Sequence, residues 1–302
     1  MQVISTTAAL TAAINEAKQA NKTIGLVPTM GALHEGHLSL IRRARQENDL
    51  VVVSIFVNPI QFNNKEDLAK YPRTVEADCR AAEEAGADIA FTPSVEEMYP
   101  DGEPTQNVNP DTGEVYHFGP VEEVMEGPRR PGHFSGVAVV VRRLFDLTQP
   151  TRAYFGEKDY QQVAIIRNLL EQIKYPIELI PCPIVRADDG LALSSRNVRL
   201  SKEARAIAPE IYATLCQAVE MSECEDVDSV CTWVVDTLAS FHEVNELPDG
   251  LRFEPEYFEV VDAVTLQPVD DWDAPNGVVG CIAVWLDGVR LIDVIRFRPL
   301  TE

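Results

Sequence analysis

One short stretch, residues 23–45, constrains the fold more than any other part of the chain. It reads Thr-Ile-Gly-Leu-Val, then Pro-Thr-Met-Gly-Ala-Leu-His-Glu-Gly-His, then Leu-Ser-Leu-Ile-Arg-Arg-Ala-Arg. The apolar run 24–27 predicts a buried parallel strand that Pro28 ends, and apolar residues at helical spacing within 38–44 predict a helix. The stretch therefore indicates a strand, a glycine-containing turn and a helix.

This turn has the properties of a phosphate-binding site. Gly31 and Gly36 allow a close approach of the backbone to a ligand, and the following helix directs its free N–H groups and positive dipole end into the turn. His34 and His37 are two of only five histidines in the chain. If the helix begins near Leu33, both imidazoles lie on one face and can contact the same anion.

A zinc site is the alternative use of the two histidines. The zincin spacing is H-E-x-x-H, whereas only Glu35 and Gly36 separate His34 from His37, and no cysteine is near. We therefore expect an anion-binding turn and no metal held by protein ligands.

The first part of the chain alternates strands and helices. Thr6 or Thr7 can cap a first helix, and the run 50–57 is too continuously apolar for a half-exposed strand. Further helices are predicted at 74–86, 93–100, 134–147 and 163–170, and further strands at 88–91, 152–155 and 177–185. This order predicts an α/β fold with a Rossmann-like, doubly wound parallel sheet over residues 1–184.

The remaining residues predict a second, smaller α+β domain over 185–302. Two long helices are expected near 202–221 and 227–243. Strands are expected at 257–262, 278–286 and 290–297, with Asp287-Gly288 as a hairpin turn. In the first domain, residues 101–132 are rich in Pro, Gly, Asn and Glu, which predicts a lid or an interface loop.

The charge composition of the chain limits the kinds of molecule that it can bind. The net charge is −22, and residues 201–302 hold 21 acidic against 6 basic side chains. Such a surface repels RNA and anionic membranes, so neither a nucleic acid nor a membrane is expected as a partner. The six cysteines form no C-x-x-C pair, the first residues do not resemble a signal peptide, and no apolar run reaches the ~18 residues of a membrane span. These features predict a cytoplasmic protein.

Further polar groups complete a candidate triphosphate site. Gln61 follows the second strand and is either a substrate contact or a solvated loop residue, since the spacing does not decide. Lys158 in a second strand–turn–helix and the loop Ser194-Ser195-Arg196 supply cationic and hydroxyl donors. Such donors stabilise the charge that develops when an adenylyl group is transferred, and Mg²⁺ is expected to bridge the phosphates.

Longer motifs carry a specific resemblance. The turn resembles the H-x-G-H signature of nucleotidyltransferases related to class I aminoacyl-tRNA synthetases, and Ser-Ser-Arg-Asn resembles their K-M-S-K-S-type loop. The whole chain is similar to the pantoate–beta-alanine ligase (pantothenate synthetase) family. The matching strings are P-T-M-G-A-L-H-E-G-H, V-V-S-I-F-V-N-P-x-Q-F, Y-P-R-T at 71–74, R-P-G-H-F at 130–134, F-G-E-K-D-Y-Q-Q at 155–162, G-L-A-L-S-S-R-N at 190–197 and R-L-I-D at 290–293.

The resemblance implies an ATP-dependent ligase that forms pantoyl adenylate and then pantothenate by attack of β-alanine. It implies a homodimer, His37 as proton donor, His34 on the phosphates, Gln61 on pantoate and β-alanine, and Gln162 on pantoate. Lys158, Ser194, Ser195 and Arg196 are the other catalytic candidates, and Asp159 is expected on the ribose. The implied ATP-binding residues are Met30, Gly31, Ala32, Leu33, His34, Glu35, Gly36, His37, Gly156, Glu157, Lys158, Asp159, Val185, Leu193, Ser194, Ser195 and Arg196. Tyr71, Asp78 and Arg130 are less specific matches.

The sequence departs from the family pattern in two places, and three other functions are alternatives to this interpretation. Leu193 replaces the Met that is common in the family, a volume-conserving change, and residues 103–126 match poorly. One rival is a nucleotidyltransferase that acts on a different acid or makes a dinucleotide, and another is a non-catalytic nucleotide sensor. A nicotinamide-dependent dehydrogenase is disfavoured because no G-x-G-x-x-G follows the first strand.

Overall fold

The structure is a computed structural model, and it describes residues 1–104, 115–245, 247–248 and 250–299. The chain forms two compact units. The first comprises Met1–Glu122, Glu126–Glu157 and Gln162–Pro183, and the second comprises Glu123–Met125, Lys158–Gln161 and Ile184–Glu302. The long segment of the second unit begins at Ile184, one residue before the predicted start of the second domain at 185. The other two segments of the second unit, Glu123–Met125 and Lys158–Gln161, lie within the range predicted for the first domain.

A six-stranded parallel sheet organises the first unit. Its strands are β1 (Gln2–Ile4), β2 (Ile24–Thr29), β3 (Leu50–Ile55), β4 (Ile89–Phe91), β5 (Arg152–Gly156) and β6 (Glu178–Cys182). The helices around them are α1 (Thr7–Gln19), α2 (Glu35–Glu47), α3 (Lys65–Lys70), α4 (Val75–Glu84), α5 (Val95–Met98), α6 (Glu126–Arg129), α7 (His133–Thr148) and α8 (Tyr160–Ile173). The strand order is β1-β4-β3-β2-β5-β6, so the predicted doubly wound sheet is confirmed.

The strand pattern explains why helices cover both faces of the sheet. In β3, Val52 packs in the core that α1 and α7 share, whereas Val51 and Val53 pack in the core on the side of α2 and α4. Because successive strand residues point to opposite faces, a continuously apolar strand requires a helical layer on each side. The first of these helices, α1, begins after Thr6, whose hydroxyl accepts a hydrogen bond from the N–H of Ala9.

Pro28 does not end β2, contrary to the prediction. The strand continues to Thr29, and Pro28 pairs with Ser54 of β3. The pairing of β2 with β5 is confined to Gly25 and Leu26. At Pro28, β2 is no longer paired with β5, so no hydrogen bond to β5 is lost because proline has no N–H.

Aromatic side chains of the predicted lid or interface loop over 101–132 pack into the protein interior. Residues 105–114 of this segment lie outside the described residues. After them, Tyr116 and Phe118 are buried in the first unit's core, and a turn of 3-10 helix spans Gly119–Glu122. Tyr116 and Phe118 therefore anchor their part of the segment to the core of the first unit.

The second unit packs three helices on an antiparallel sheet. The helices are α9 (Lys202–Ile207), α10 (Glu210–Met221) and α11 (Val227–Val244), and the strands are β7 (Phe253–Asp262), β8 (Val278–Leu286) and β9 (Val289–Arg298). The helix predicted over 202–221 is divided at Pro209, which has no N–H for a continuous helix. The predicted hairpin at Asp287-Gly288 is present, with φ of 52° and 67°.

Candidate active site

The candidate site lies where the sheet reverses its order. From β2 the chain continues outward through β3 and β4 on one side, and β5 and β6 extend the sheet on the other. Ligands of open α/β sheets bind outside the carboxyl ends of strands at such a switch point. The turn after β2, residues 30–34, begins at this edge, and so does the 3-10 turn Glu157–Asp159 that follows β5.

The backbone of the turn after β2 adopts an unusual conformation. Thr29 Oγ1 donates to the carbonyl of Ser54 at 2.7 Å and accepts from the N–H of Gly31 at 3.2 Å. Gly31 has φ of +80° and Ala32 has φ of +49°. A left-handed conformation costs a residue with a Cβ, such as Ala32, about 1 kcal/mol or more. The surrounding contacts must therefore hold the turn in place.

Asp78 of α4 provides the main contacts to this turn. Its Oδ2 accepts from the N–H of Ala32 at 3.0 Å, and its Oδ1 accepts from the N–H of Leu33 at 2.8 Å. The hydroxyl of Thr74 donates to both oxygens, at 3.1 and 3.2 Å. A Cβ on Gly31 would lie 3.0 Å from Oδ2 of Asp78, so glycine leaves room for the carboxylate.

The helix after the turn begins later than predicted. Helix α2 starts at Glu35, not near Leu33, and His34 is its N-cap with an extended backbone. The two imidazoles still come together, with ring centroids 4.1 Å apart. The rings are close because His34 is the N-cap of α2 and His37 is the third residue of the helix, as in a capping box, and not because both lie on one helical face.

The hydrogen bonds of the two imidazoles fix their tautomers. Nδ1 of His34 accepts from the N–H of Gly36 at 3.1 Å, and Nδ1 of His37 accepts from the N–H of His34 at 3.3 Å. Because a neutral imidazole that accepts at Nδ1 carries its proton at Nε2, both rings have Nε2–H as their donor. The pair is suited to donate to anionic oxygens.

The side chain of Glu35 has a different partner. Its carboxylate forms an exposed ion pair with Arg42, and the hydrogen bond from Arg42 lowers the pKa of Glu35. The carboxylate is therefore ionised at neutral pH and does not supply a proton. A contribution of Glu35 to ATP binding would come from its backbone N–H at the helix start.

Gln61 lies in a buried hydrogen-bond network at the end of β3, in the 3-10 turn Pro59–Gln61. Its Oε1 accepts from Nδ2 of Asn58 at 3.0 Å, and Oδ1 of Asn58 accepts from the hydroxyl of Tyr99 at 3.0 Å. Only 7% of Gln61 is exposed, which excludes the solvated-loop alternative. In the part of the chain that the structure describes, Nε2 of Gln61 donates to no protein acceptor.

Several matched residues lie around the end of β5 and in helix α8. Gln162 is half-buried in the first turn of α8. Lys158 Nζ is 3.9 Å from Oδ2 of Asp159, and 17% of the Lys158 side chain is exposed. A Cβ on Gly156 would meet no atom within 4 Å, so open space adjoins this position. Lys158 and Asp159 belong to the second unit, whereas Gly156 and Gln162 belong to the first.

The second unit holds the predicted phosphate loop in a defined turn. The N–H of Leu193 donates to the carbonyl of Val185 at 3.0 Å, which brings these two matched residues together. Ser194 Oγ accepts from the N–H of Arg196 at 3.2 Å, and Ser195 is buried. These hydrogen bonds thus give the loop a defined backbone conformation.

An ion pair fixes the base of this loop. Arg186 donates from both terminal nitrogens to Asp293, at 2.6 and 2.8 Å, and its guanidinium lies over the ring of Tyr212 at 3.6 Å. Asp293 is only 3% exposed. A fork-shaped pair of this kind restricts both orientation and distance.

Sequence reasoning did not predict what these supporting groups hold. Asp78 is a weak match beside Y-P-R-T, and Asp293 ends the R-L-I-D string, but neither string indicates which backbone its carboxylate holds. Tyr71 is buried against Phe62, and Arg130 pairs with Glu126. No signal in the sequence links Tyr99 to Asn58, because 41 residues separate them.

The described residues contain neither a metal-binding cluster nor a membrane span. Among residues 1–104, 115–245, 247–248 and 250–299, no group of three or more His, Cys, Asp or Glu side chains could hold a metal ion. None of the described helices is both long enough and apolar enough to cross a membrane.

The sheet order and the turn after β2 place this chain among the nucleotide-binding α/β proteins. Comparison with known proteins then defines the family. The sequence profile of the family described as pantoate-beta-alanine ligase matches residues 2–296. The chain therefore belongs to the pantoate–beta-alanine ligase family and is an ATP-dependent ligase.

Relatives of this family match along the whole chain. The pantothenate synthetase of Bacteroides fragilis is 50% identical over 298 residues, covering 99% of each chain, and that of Porphyromonas gingivalis is 50% identical, covering 99% of this chain and 100% of the relative. The crystal structure of the Thermus thermophilus enzyme superposes with a TM-score of 0.86 at 44% identity, covering 99% of this chain and 100% of that one. The Francisella tularensis ligase, described as complexed with beta-gamma ATP and beta-alanine, has a TM-score of 0.78 at 34% identity and covers 98% of each chain.

Proposed function

We propose that the chain joins pantoate to β-alanine through a pantoyl-adenylate intermediate. The observation that carries this proposal is the match of residues 2–296 to the family. The described complex of the Francisella tularensis ligase with beta-gamma ATP and beta-alanine supports the assignment of ATP and β-alanine as substrates.

In the first half-reaction, the carboxylate of pantoate attacks the α-phosphorus of ATP. The new bond joins a carboxylate oxygen to phosphorus, the bond to the bridging oxygen breaks, and pyrophosphate leaves with that electron pair. Negative charge grows on the phosphoryl oxygens and on the leaving group. Donors that are already oriented stabilise this charge without reorganisation.

The two histidines are the donors that the first unit supplies. With Nδ1 occupied by backbone N–H groups, Nε2–H of His34 is assigned to the phosphates and Nε2–H of His37 to proton donation. The backbone N–H of Glu35, at the start of α2, is assigned to the phosphates. Met30–Leu33 and Gly36 are assigned to the ATP site as the turn that shapes it, because Gly31, Ala32, Leu33 and Gly36 donate their N–H groups within the protein.

The acid is assigned to the two glutamines. Asn58 fixes Oε1 of Gln61, so Nε2 of Gln61 is the side that donates to a carboxylate or hydroxyl oxygen of pantoate. Gln61 is also assigned to β-alanine, and Gln162 to pantoate.

The remaining nucleotide contacts are assigned from the family resemblance. Lys158 and Arg196 supply positive charge, the hydroxyls of Ser194 and Ser195 supply donors, and Asp159 accepts from the ribose. Gly156, Glu157, Val185 and Leu193 complete the assigned nucleotide-binding set.

In the second half-reaction, the amine of β-alanine attacks the carbonyl carbon of the mixed anhydride. The new carbon–nitrogen bond replaces the carbon–oxygen bond, AMP leaves with the electron pair, and the nitrogen loses a proton. The first half-reaction has replaced a poor leaving group on that carbon with a good one, which is why activation by ATP precedes amide formation.

Magnesium, assembly and compartment are further parts of the proposal. Because the described residues offer no carboxylate cluster, Mg²⁺ is proposed to enter with ATP, held by phosphate oxygens and water. The homodimer rests on the family resemblance and is tested by light scattering. A cytoplasmic location is supported by the six free cysteines.

ATP–pyrophosphate exchange tests the central proposal. The chain is expected to exchange labelled pyrophosphate into ATP when pantoate is present and β-alanine is absent, because adenylation is reversible before the amine arrives. Exchange with another carboxylic acid only would favour the rival nucleotidyltransferase. ATP binding without exchange for any acid in a panel would favour the nucleotide sensor.

A further inference from the structure

We infer that Asp78 is a positioning residue for adenylation, whose carboxylate holds the turn carrying His34 and His37 in the conformation that receives the phosphates. The inference rests on the proposed function, because that function places ATP at this turn. It assigns to Asp78 no contact with a substrate.

The contacts of Asp78 are directed at the turn backbone. Oδ2 accepts from the N–H of Ala32 at 3.0 Å and Oδ1 from that of Leu33 at 2.8 Å, while Thr74 donates to both oxygens. The residue is 3% exposed. Both oxygens are therefore engaged within the protein, which leaves the carboxylate suited to support and not to ligand binding.

A carboxylate at this position works against anion binding by simple electrostatics. It brings a negative charge next to the residues that are proposed to bind a triphosphate. In this turn, however, each of the two neighbouring N–H groups is bound by a different oxygen of Asp78, and only a carboxylate side chain has two such acceptors. An amide has one oxygen, and its NH₂ group would face an N–H donor.

The turn depends on this support because its backbone conformation is unfavourable by itself. Ala32 has φ of +49°, and the adjoining Gly31 has φ of +80°. Leu33 directly precedes His34, the N-cap of α2. Release of Ala32 and Leu33 from Asp78 therefore allows the N-cap and both imidazoles to leave their donor geometry.

The variant Asp78→Asn distinguishes positioning from electrostatics. Removal of a negative charge would by itself strengthen ATP binding, whereas loss of the turn geometry weakens adenylation. We expect kcat/KM for ATP in pantoate-dependent pyrophosphate exchange to fall by about 100-fold. The matched control is Glu76→Gln, which makes the same charge change on the exposed face of α4 and should stay within about twofold of the unaltered chain.

A second variant keeps the inference testable if Asp78→Asn does not fold, as judged by circular dichroism. Thr74→Val leaves the carboxylate but removes the hydroxyl that orients it, and exchange is expected to fall by roughly threefold to tenfold. Exchange by folded Asp78→Asn that equals or exceeds that of the unaltered chain overturns the inference. If Asp78→Asn is unfolded, exchange by Thr74→Val within twofold of the unaltered chain overturns it. Absence of exchange in the unaltered chain overturns the proposed function itself, so the two failures are distinct.

Discussion

The two ring nitrogens of His34 have different functions. Nδ1 caps α2 by accepting from Gly36, and Nε2–H is the donor assigned to the phosphates. A substitution that keeps one task and removes the other can therefore separate stability from catalysis.

We expect His34→Asn to remain as stable as the unaltered chain while losing most adenylation activity. Asn is among the best N-cap residues, so it preserves the helix start but has no donor at the position of Nε2. His34→Ala should lose the same activity and also about 1 kcal/mol of stability. Thermal unfolding and pyrophosphate exchange measure the two effects, and equal stability of the two variants would contradict the capping function.

Asp262 at the end of β7 makes stability depend on pH. Burial raises the pKa of Asp262, but hydrogen bonds from Thr265, Val264 and Asn276 outweigh it and hold the pKa below its ordinary value of 3.8. A lowered pKa in the folded state stabilises the protein above the unfolded pKa. This contribution is lost as pH falls through the folded pKa.

Asp262→Asn should therefore lower the free energy of unfolding by about 1–2 kcal/mol at pH 7. The difference between the two chains should remain constant down to about pH 5 and shrink below about pH 4. Urea unfolding at several pH values measures it. A difference that grows on acidification would contradict the sign of the pKa change.

The site was only partly predictable at this scale. His34, His37 and Gln61 have side chains with chemistry of their own, so the sequence singles them out. Asp78 acts only through backbone N–H groups that lie more than 40 residues away, and such pairing has no local pattern. Its partners become visible only when α4 packs beside the turn.

At the scale of elements, helix α7 lies close against the turn that holds Gln61. A Cβ added to Gly136 would lie 2.6 Å from the carbonyl oxygen of Ile60 and 2.7 Å from Cα of Gln61. Asn58 also donates to the carbonyl of Gly136 at 3.1 Å. The helix and the turn that holds Gln61 are thus in direct backbone contact.

Gly136→Ala should push the turn away from α7, because backbone atoms cannot yield as a flexible side chain can. We expect a loss of about 1–3 kcal/mol in the free energy of unfolding, together with a higher KM for pantoate. Gly136→Ser should be worse than Gly136→Ala in both respects. If a destabilised variant kept the KM for pantoate of the unaltered chain, the packing of α7 would not control the position of Gln61.

Long periodic elements were predicted, whereas some short ones, among them β1 and α3, were missed, for a physical reason. Helices α1 and α11 bury one apolar face, which the sequence displays directly. Helix α7 is buried on nearly every side, and its length and apolar content indicate it. Strand β1 and helix α3 have three and six residues, too few for a period to be visible. A related limit explains the wrong prediction at Pro28. Strand β2 accommodates Pro28 because its pairing with β5 ends at Leu26, and the local sequence does not show where that pairing ends.

At the scale of the whole molecule, the second unit has a core of its own. Its buried cluster draws residues from Leu191 to Phe297, with α9, α10 and α11 packed on β7, β8 and β9. A single core within about 120 residues is sufficient for independent folding.

Residues 184–302 expressed alone should therefore fold cooperatively. Thermal unfolding followed by circular dichroism should show one sigmoidal transition, and added salt should raise its midpoint because the segment is strongly acidic. Pyrophosphate exchange should be absent, since His34 and His37 are missing. A broad, gradual transition would show that this core needs the rest of the chain.

The pairing of β1 with β4 also sets an order of events during translation. Gln2 pairs with Ile89 and Ile4 with Phe91, so β1 has no partner strand until residue 91 has left the ribosome. Until then β2 and β3 can pair, but the β1 edge of the sheet stays unfinished. Strand β1 is thus synthesised before β2 and β3 but joins the sheet after those two strands can pair.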